Sequence, residues 1–530
     1  MRDLHFPGRS PVHGLNGVAA TSHPEATRTA IETLRAGGNA VDAAIAAAAV
    51  LAVVEPQSTG IGGDVFALYA PKGKVAPIAL NGSGRAAKAA SIDHFIERGI
   101  KSIGFQSPHA VTVPGAVAAW AKLNKDHGKK SLAELLAPAI KLAEGGYVVH
   151  SRVAADWSRN AEKLMPCPNA RRIFLPGGKT PKAGTVHRQP ELAGTLRKIA
   201  KNGRDAFYTG AVAEDIVGYL KSLGGLLTLD DLAGFDADYV TPIKTRYRGF
   251  EVYECPPNGQ GIVALIMLNI LSGYDLSALD PHGAARFHLE AEATRLAYRD
   301  RNAFVADPER AKVPVKRLLS ASYAEALRGY IRRDRAMGRL PPAGLPAHKD
   351  TVYLSVVDAE RNAISFINST FHNFGSGLCA PKSGVMLQNR GASFVVDDPK
   401  HPNAIAPGKR PMHTIIPGMV GEGTRCLMPF GVMGGHYQAT GHVHFLTNVI
   451  DYGMDVQEAL DSPRAFHFDE VLEAERGIPA ATLGQLEGLG HQVALTELPH
   501  GGGQAVRIDW KTGVLTGGSD PRKDGCALGY

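Results

Sequence analysis

From Ala40 to Val54 the chain reads Ala-Val-Asp-Ala-Ala-Ile-Ala-Ala-Ala-Ala-Val-Leu-Ala-Val-Val. Asn39 can cap a helix at its start, and Pro56 stops it. The run is apolar on nearly every side, so the helix must be buried rather than laid on a surface. Its alanines suit close packing against a sheet or a second helix. The longest uninterrupted apolar stretch, Ala43 to Val54, is too short to span a bilayer. The helix therefore belongs inside a folded core.

The preceding segment fits that placement. Ser22-His23-Pro24-Glu25 opens a helix with a capping hydroxyl, a proline in the first turn and an acid at the positive end of the dipole. Ala30, Ile31 and Leu34 recur at helical spacing, and Gly37-Gly38 end it. After Pro56 comes Gln57-Ser58-Thr59-Gly60-Ile61-Gly62-Gly63-Asp64, a glycine-rich turn between helix and strand. Nucleotide-binding loops need the opposite order, strand then glycines then helix, so this turn is not read as one. Residues 65–70 and 75–80 read as a β-hairpin around Pro71-Lys72-Gly73-Lys74.

From about 115 to 330 the pattern is mostly helical, broken by glycine and proline. Val113-Pro114-Gly115 starts a helix containing Trp120, and Leu229-Asp230-Asp231-Leu232 caps another short one. Residues 247–253 alternate like a strand and lead to Pro256-Pro257-Asn258-Gly259-Gln260-Gly261. Arg286 to Arg301 is a long helix whose charges are expected to be solvated or structural. Residues 331–350 lose all apolar periodicity and have the composition of a flexible exposed linker. Two β-type runs, 351–358 and 362–369, follow at once, and strands and turns are expected from there to the end.

Composition excludes several functions. The 530 residues suggest three domains by length alone, with ordinary apolar (44%) and charged (21%) fractions. The net charge of +7 comes without Lys/Arg runs flanked by aromatics and without zinc or helix-turn-helix spacing, so no nucleic-acid partner is expected. A mildly basic enzyme acting on anionic substrates accounts for the charge. Five scattered cysteines with no CxxC pair argue against a disulfide framework or a structural zinc. The N-terminal MRDLHFPGRSPVHG has no apolar signal region, and a cytoplasmic protein without membrane attachment is expected. No HExxH or local His/Asp/Glu cluster is seen, so no metal and no cofactor are expected. Gly375-Ser376-Gly377 lacks the spacing of a serine nucleophile elbow.

One nucleophile remains, Thr351. A threonine hydroxyl is weak unless a base stands beside it, and an N-terminal threonine carries that base in its own α-amine. The amine titrates near 7.7–8.0, close to working pH, whereas a peptide nitrogen does not. The chemistry therefore requires a cut between Asp350 and Thr351, where a linker meets a strand. On the residue pattern alone, a threonine that simply begins a strand is the stronger reading.

A set of ordered motifs changes that balance. The string Asp350-Thr351-Val352-Tyr353-Leu354-Ser355 occurs with Gly38-Asn39-Ala40-Val41-Asp42-Ala43-Ala44, Gly60-Ile61-Gly62-Gly63-Asp64 and Leu226–Leu232. Further along come Ala297-Tyr298-Arg299-Asp300-Arg301, Phe374-Gly375-Ser376-Gly377, Gly408-Lys409-Arg410-Pro411, Gly434-Gly435 and Asp461-Ser462-Pro463-Arg464. The last is the terminal run from Ser519 to Tyr530. Together they resemble the γ-glutamyltranspeptidase (glutathione hydrolase) family of N-terminal nucleophile hydrolases, from about Gly17 to Tyr530.

The resemblance implies an α/β fold, a four-layer αββα sandwich made as one chain and split autocatalytically. Residues 1–350 would be the large subunit, ending in the linker 331–350, and 351–530 the small one, intertwined as one structural unit in place of three domains. It implies an amidohydrolase or acyltransferase that cleaves a γ-glutamyl-type amide through an acyl-enzyme. The acyl group would pass to water or an amine.

Thr351 matches the nucleophile, and Ser369 stands where a second threonine would hydrogen-bond it. Gly434 and Gly435 match the oxyanion glycines. The acyl pocket departs from the family. Ser83 replaces its carboxylate-binding arginine, with Arg85 two residues on as a substitute. Phe371 and Ser393 replace the asparagine and aspartate that hold the α-amine. Arg390 stands at a Gln/Glu position, His413-Thr414 at a serine pair, and Val352-Tyr353 where Thr/Ala-His is usual.

Acceptors for an ammonium are lost and a guanidinium is gained. Arg390 would repel a substrate amine and could grip a carboxylate through paired hydrogen bonds. An acyl donor with a carboxylate but no α-amine, glutaryl-cephalosporin-like or oxamate-like, is one expectation. The other is that Arg390 braces its loop through Asp397 or Asp398. A non-catalytic binding relative with the same fold is the alternative of a different class.

Overall fold

The computed structural model describes residue 5, residues 8–340 and residues 351–530. Asp350 and the second half of the expected linker lie outside the described residues. Fourteen strands build the two central sheets. In chain order they are β1 (Val12–Gly14), β2 (Gly17–Thr21), β3 (Asp64–Ala70), β4 (Ile78–Gly82), β5 (Asp238–Val240), β6 (Ile243–Tyr247) and β7 (Phe250–Glu254). They continue with β8 (Val352–Asp358), β9 (Ala363–Ser369), β10 (Gly418–Glu422), β11 (Arg425–Met433), β12 (Gly502–Ile508), β13 (Leu515–Ser519) and β14 (Cys526–Gly529). One sheet has the order β14-β2-β8-β9-β3-β4-β5, the other β1-β13-β12-β11-β10-β7-β6, and every pairing in both is antiparallel.

Three hydrophobic cores correspond to the three interfaces of a four-layer αββα sandwich. The first sheet packs α1 (Pro24–Arg35) and α2 (Ala40–Val54), together with further helices up to residue 233, on its outer face. The second carries α3 (Gly261–Leu271), α4 (Ala284–Phe304) and α5 (Gln438–Ile450). The third core lies between the sheets. Strand β8 shows the layering residue by residue. Val352, Leu354 and Val356 face the helices, and Tyr353 and Val357 face the other sheet. A strand apolar on both faces is what two-sided burial demands.

Helix α2 is buried along its whole length, as its composition requires. Asn39 and Asp42 form a reciprocal capping box, and Asp42 also accepts from Lys129 N at 2.9 Å. For α1 the cap is His23 rather than Ser22, because Pro24 takes the first helical position and moves the cap next to it. The expected single strand at 247–253 is a hairpin. Arg248 and Gly249 both have positive φ and turn the chain between β6 and β7.

One other expectation needs correction. The C-terminal part is not only strands and turns, since α5 and two shorter helices (Val456–Asp461 and Ala480–Gly488) lie there. The charged residues of α4 are structural rather than solvated. Arg286, Glu290, Glu292, Arg295, Asp300 and Arg301 are all buried and paired within the fold. The first part of the linker is also anchored, with Met337 N donating to Glu292 at 2.7 Å and Arg295 donating to the carbonyls of Met337 and Gly338. Among the described residues no helix is long and apolar enough to cross a membrane.

The sheets make close contact beside Thr351. The ring of Tyr353 lies over Gly431 of β11, where a Cβ would come within 2.4 Å of it. Ser355 and Ser365 each donate across the gap, to the carbonyls of Pro429 (3.2 Å) and Phe430 (3.1 Å). The Gly431→Ala variant is expected to lose about 1–3 kcal/mol from overpacking. It should show a lower thermal unfolding midpoint.

Candidate active site

Thr351 immediately precedes β8 and is fully buried. The register that sets Val352 opposite Asn368 brings Thr351 beside Ser369, with 3.1 Å between their hydroxyl oxygens. Ser369 Oγ also accepts from Phe371 N at 2.9 Å. That backbone donor occupies one lone pair and orients the hydroxyl toward Thr351. Phe371 has a φ of 79°, left-handed for a bulky residue, and this turn carries its ring under Arg390.

Arg390 opens a short turn, Arg390–Ser393, and is fully buried. Its Cζ lies 4.0 Å from the centroid of the Phe371 ring, a cation–π contact. Nη1 donates to Thr414 Oγ1 at 2.8 Å, and the backbone N donates to Gln388 Oε1 at 2.8 Å. Nε and Nη2 have no hydrogen-bond partner among the described residues. Burial lowers the guanidinium to about 9 and Asp64 opposes the shift, so Arg390 is a cation at neutral pH. Asp397 and Asp398 are exposed and form no ion pair with Arg390. The loop-bracing expectation is therefore set aside. Each buried donor left unpaired costs about 1–3 kcal/mol, a cost that an acceptor entering the site would remove.

His413 is not open to a substrate in the way its position suggested. Its Nε2 donates to Asp64 Oδ2 at 3.0 Å while Ile415 N approaches Nδ1 at 3.4 Å. Burial, then the charge of Arg390, holds the imidazole well below its usual range and hence neutral. Asp64 stands opposite Ser369 in the β3–β9 register. Burial pushes its carboxyl up to about 7, against the pull of Arg390 and of the Gly84 and Gly115 N–H groups.

Gly434 and Gly435 close β11 ahead of α5, with φ of 131° and 59°, a region that favours glycine. Gly434 has no room for a side chain, since a Cβ would lie 2.9 Å from Gly501 Cα. One amide ties this turn to the pocket. Gln260 Nε2 donates to the carbonyls of Gly435 (3.0 Å) and Thr414 (2.9 Å). Gln260 Oε1 accepts from Arg301 Nη1 at 2.9 Å, and the same nitrogen lies 2.8 Å from His436 Nδ1. Contacts thus run unbroken from Thr351 through Ser369, Phe371, Arg390, Thr414 and Gln260 to Gly435.

The remaining expected residues are placed differently. Ser83 is buried, and its Oγ accepts from Asn258 Nδ2 at 3.0 Å. Arg85 does not substitute for a pocket arginine. It is partly exposed and ion-paired with Glu309 at 2.9 Å, with Asp238 and Asp307 within 4.0 Å. Ser393 donates to the carbonyls of Arg390 and Met412 and so shapes the turn rather than presenting a free hydroxyl.

Sequence reasoning passed over Asp64, Gln260, Gln388 and Arg301. Three of them lay in strings already singled out, Gly60–Asp64, Pro256–Gly261 and Ala297–Arg301, so the signal was present without a role attached. Local sequence patterns could not show one further cluster. The fold gathers His288, Glu292 and His491, with ligand-type atoms within 4.8 Å. His491 is 203 residues from His288, beyond any local spacing rule. The two rings are hydrogen-bonded at 2.8 Å, and Glu292 accepts from Arg295 and Met337 N, so the cluster anchors the segment after α4.

Comparison with known proteins agrees with this architecture. The sequence profile of the Gamma-glutamyltranspeptidase family matches residues 26–530. The chain is 36% identical to the Glutathione hydrolase-like YwrD proenzyme of Bacillus subtilis (strain 168), over 98% of this chain and 99% of the relative. It is 35% identical to the Oxamate amidohydrolase proenzyme of Klebsiella pneumoniae, over 97% and 98% respectively. The crystal structure of a cephalosporin acylase from Bacillus halodurans superposes with a TM-score of 0.93 at 40% identity, covering 100% of this chain and 99% of that one. With near-complete coverage in sequence and in fold, the chain belongs to the γ-glutamyltranspeptidase family of N-terminal nucleophile hydrolases.

Proposed function

We propose that this chain is an autoprocessed N-terminal-threonine amidohydrolase whose acyl donor carries a carboxylate and no α-amine. The cut falls before Thr351 and separates subunits 1–350 and 351–530, which stay together because β8 and β9 lie between strands of the first 350 residues. Thr351 Oγ attacks the amide carbon while its α-amine takes the hydroxyl proton and passes it to the leaving amine. The resulting threonine ester is hydrolysed by water, or transferred to an amine, by the same proton path. Ser369 holds the nucleophile's hydroxyl in place. The backbone N–H groups of Gly434 and Gly435 receive the oxyanion, and one such donor lowers the barrier by roughly 3–4 kcal/mol.

The observation that carries the acyl-group reading is Arg390, buried on Phe371 with two unpaired N–H groups. A substrate ammonium would meet this cation with no free carboxylate to offset it, since Asp64 is already bonded to His413, Gly84 and Gln388. A carboxylate would satisfy both donors. The two relatives named for oxamate and cephalosporin chemistry support a family in which acyl groups other than γ-glutamyl are handled.

Denaturing electrophoresis tests the first step. Wild-type protein should give two bands with a new N-terminus at Thr351, and Thr351→Ala should remain one full-length band. Uncleaved, inactive wild-type protein would favour a non-catalytic binding relative. For the acyl group, a glutaryl anilide should be turned over with a kcat/KM at least about tenfold above its γ-glutamyl and butyryl analogues. Arg390→Gln should raise KM for the glutaryl donor by about 10–100-fold, the loss of a charge-assisted hydrogen bond of roughly 1.5–3 kcal/mol. Equal or better turnover of the γ-glutamyl donor would overturn this assignment.

A further inference from the structure

A fully buried arginine needs a negative charge somewhere near it, or its desolvation is uncompensated. Among the described residues Arg390 forms no direct ion pair. The charge that acts on it is Asp64, and Asp64 is fully buried too. The two are joined through neutral groups. Gln388 accepts from Arg390 N through Oε1 (2.8 Å) and offers Nε2 to Asp64 Oδ1 (3.4 Å) and to Thr112 Oγ1 (2.5 Å). His413 donates to the other Asp64 oxygen. The carboxylate is thus held at a fixed place behind the pocket, close enough to balance Arg390 and never in contact with the unpaired Nε and Nη2.

We propose that the Asp64–His413 pair is the resident counter-charge of Arg390, and that an anionic acyl group takes its place with uptake of one proton by the pair. The inference rests on the reading of Arg390 as the carboxylate site. In the empty pocket one cation faces one anion. When the carboxylate of the acyl group reaches Arg390, two buried anions would share a single cation. The pair then binds one proton from solvent, its charge goes from −1 to 0, and the site as a whole stays balanced. The proton goes to the Asp64 carboxyl, because His413 Nδ1 already accepts from Ile415 N and its imidazole is held well below its usual range.

Among the described residues, the charged and titratable groups that act most strongly on Asp64 fit this account. Arg390 and Arg410 act on it as cations, His413 bonds it directly, and Tyr208, a buried phenol held neutral by burial, lies at Coulombic range. The other contacts are the N–H groups of Gly84 and Gly115 and the neutral Gln388. Burial places the Asp64 titration at about 7, within the range where an enzyme assay can follow it. Asp64 touches no substrate atom in this scheme. It is a positioning residue that sets which charge the pocket accepts.

The sign follows from linkage. Below the pair's titration the proton is already present and binding of the anionic donor is independent of pH. Above it the proton must be taken up, so KM for a glutaryl anilide rises with pH by up to about tenfold per unit between pH 7.5 and 8.5. A butyryl anilide, with no distal carboxylate, should show no such rise. The Thr351 amine titrates in the same range but governs kcat, so the effect is read in KM. Asp64→Asn removes the negative charge at nearly constant shape and should leave KM for the glutaryl donor flat across this window.

A second measurement needs no variant. Binding of 5-oxohexanoate, a non-hydrolysable ketone analogue whose only carboxylate is the one meant for Arg390, followed by calorimetry on the processed wild-type enzyme at pH 8 in two buffers of different ionisation enthalpy, should be accompanied by uptake of close to one proton. A pH-independent KM for the glutaryl donor, or binding of 5-oxohexanoate without proton uptake, would overturn the role of the pair. A wild-type enzyme without preference for glutaryl over butyryl donors at pH 6.5 would instead overturn the underlying assignment of Arg390.

Discussion

Everything in this fold depends on β8 and β9 being buried on both faces. A strand in that position has no solvent on either side to satisfy a polar group, so each polar atom it carries must find a partner within the protein. Thr351 and Ser369 partner each other at one end of the pair. Ser355 and Ser365 reach across to carbonyls of the second sheet. The same burial that makes the sandwich stable makes the nucleophile's surroundings dry, and in a dry site a hydrogen bond or a charge has a larger effect than it would in water. The contact of Tyr353 with Gly431 then fixes how far apart the two sheets stand beside Thr351.

The proposed acyl pocket is an electrostatic compromise written into that dry interior. Arg390 is stacked on an aromatic face, bonded once through its side chain and balanced at a distance by Asp64. His413, Ser393 and Ser83, which look by position like substrate contacts, are instead committed to holding Asp64, the turn and Asn258. The pocket's donor capacity is concentrated on one guanidinium. Such a site discriminates by charge more than by shape, because a guanidinium fork offers two parallel donors to any carboxylate within reach.

Much of this could be read from the residues, and the parts that could not share a physical cause. Helix α2 was legible because a fifteen-residue run with no polar face has only one place to go. Thr351 and the glycine pair were singled out through ordered motifs, not through composition, which favoured a plain strand start. The pairing of Asp64 with His413 was not, since the two are 349 residues apart and neither belongs to a local spacing rule. For the charges of α4 the residues left two readings open, solvated or structural, for a related reason. A helix that salt-bridges inward has the same sequence pattern as one that salt-bridges at the surface, and only the packing of α3 and α5 against it decides between them. Arg85 was a wrong substitute because the nearby acids Glu309 and Asp238, distant in sequence, claim it first.

Gln260 grips Thr414 and Gly435 by their main-chain carbonyls, and so its hold is blind to which side chain stands at either place. The lining at residues 390, 413 and 414 can be exchanged, through drift or by design, while the glycine turn keeps its position. On the roles proposed above, acyl-group preference and rate enhancement are thereby separable traits of this chain, which can change what it cleaves without first relearning how to cleave.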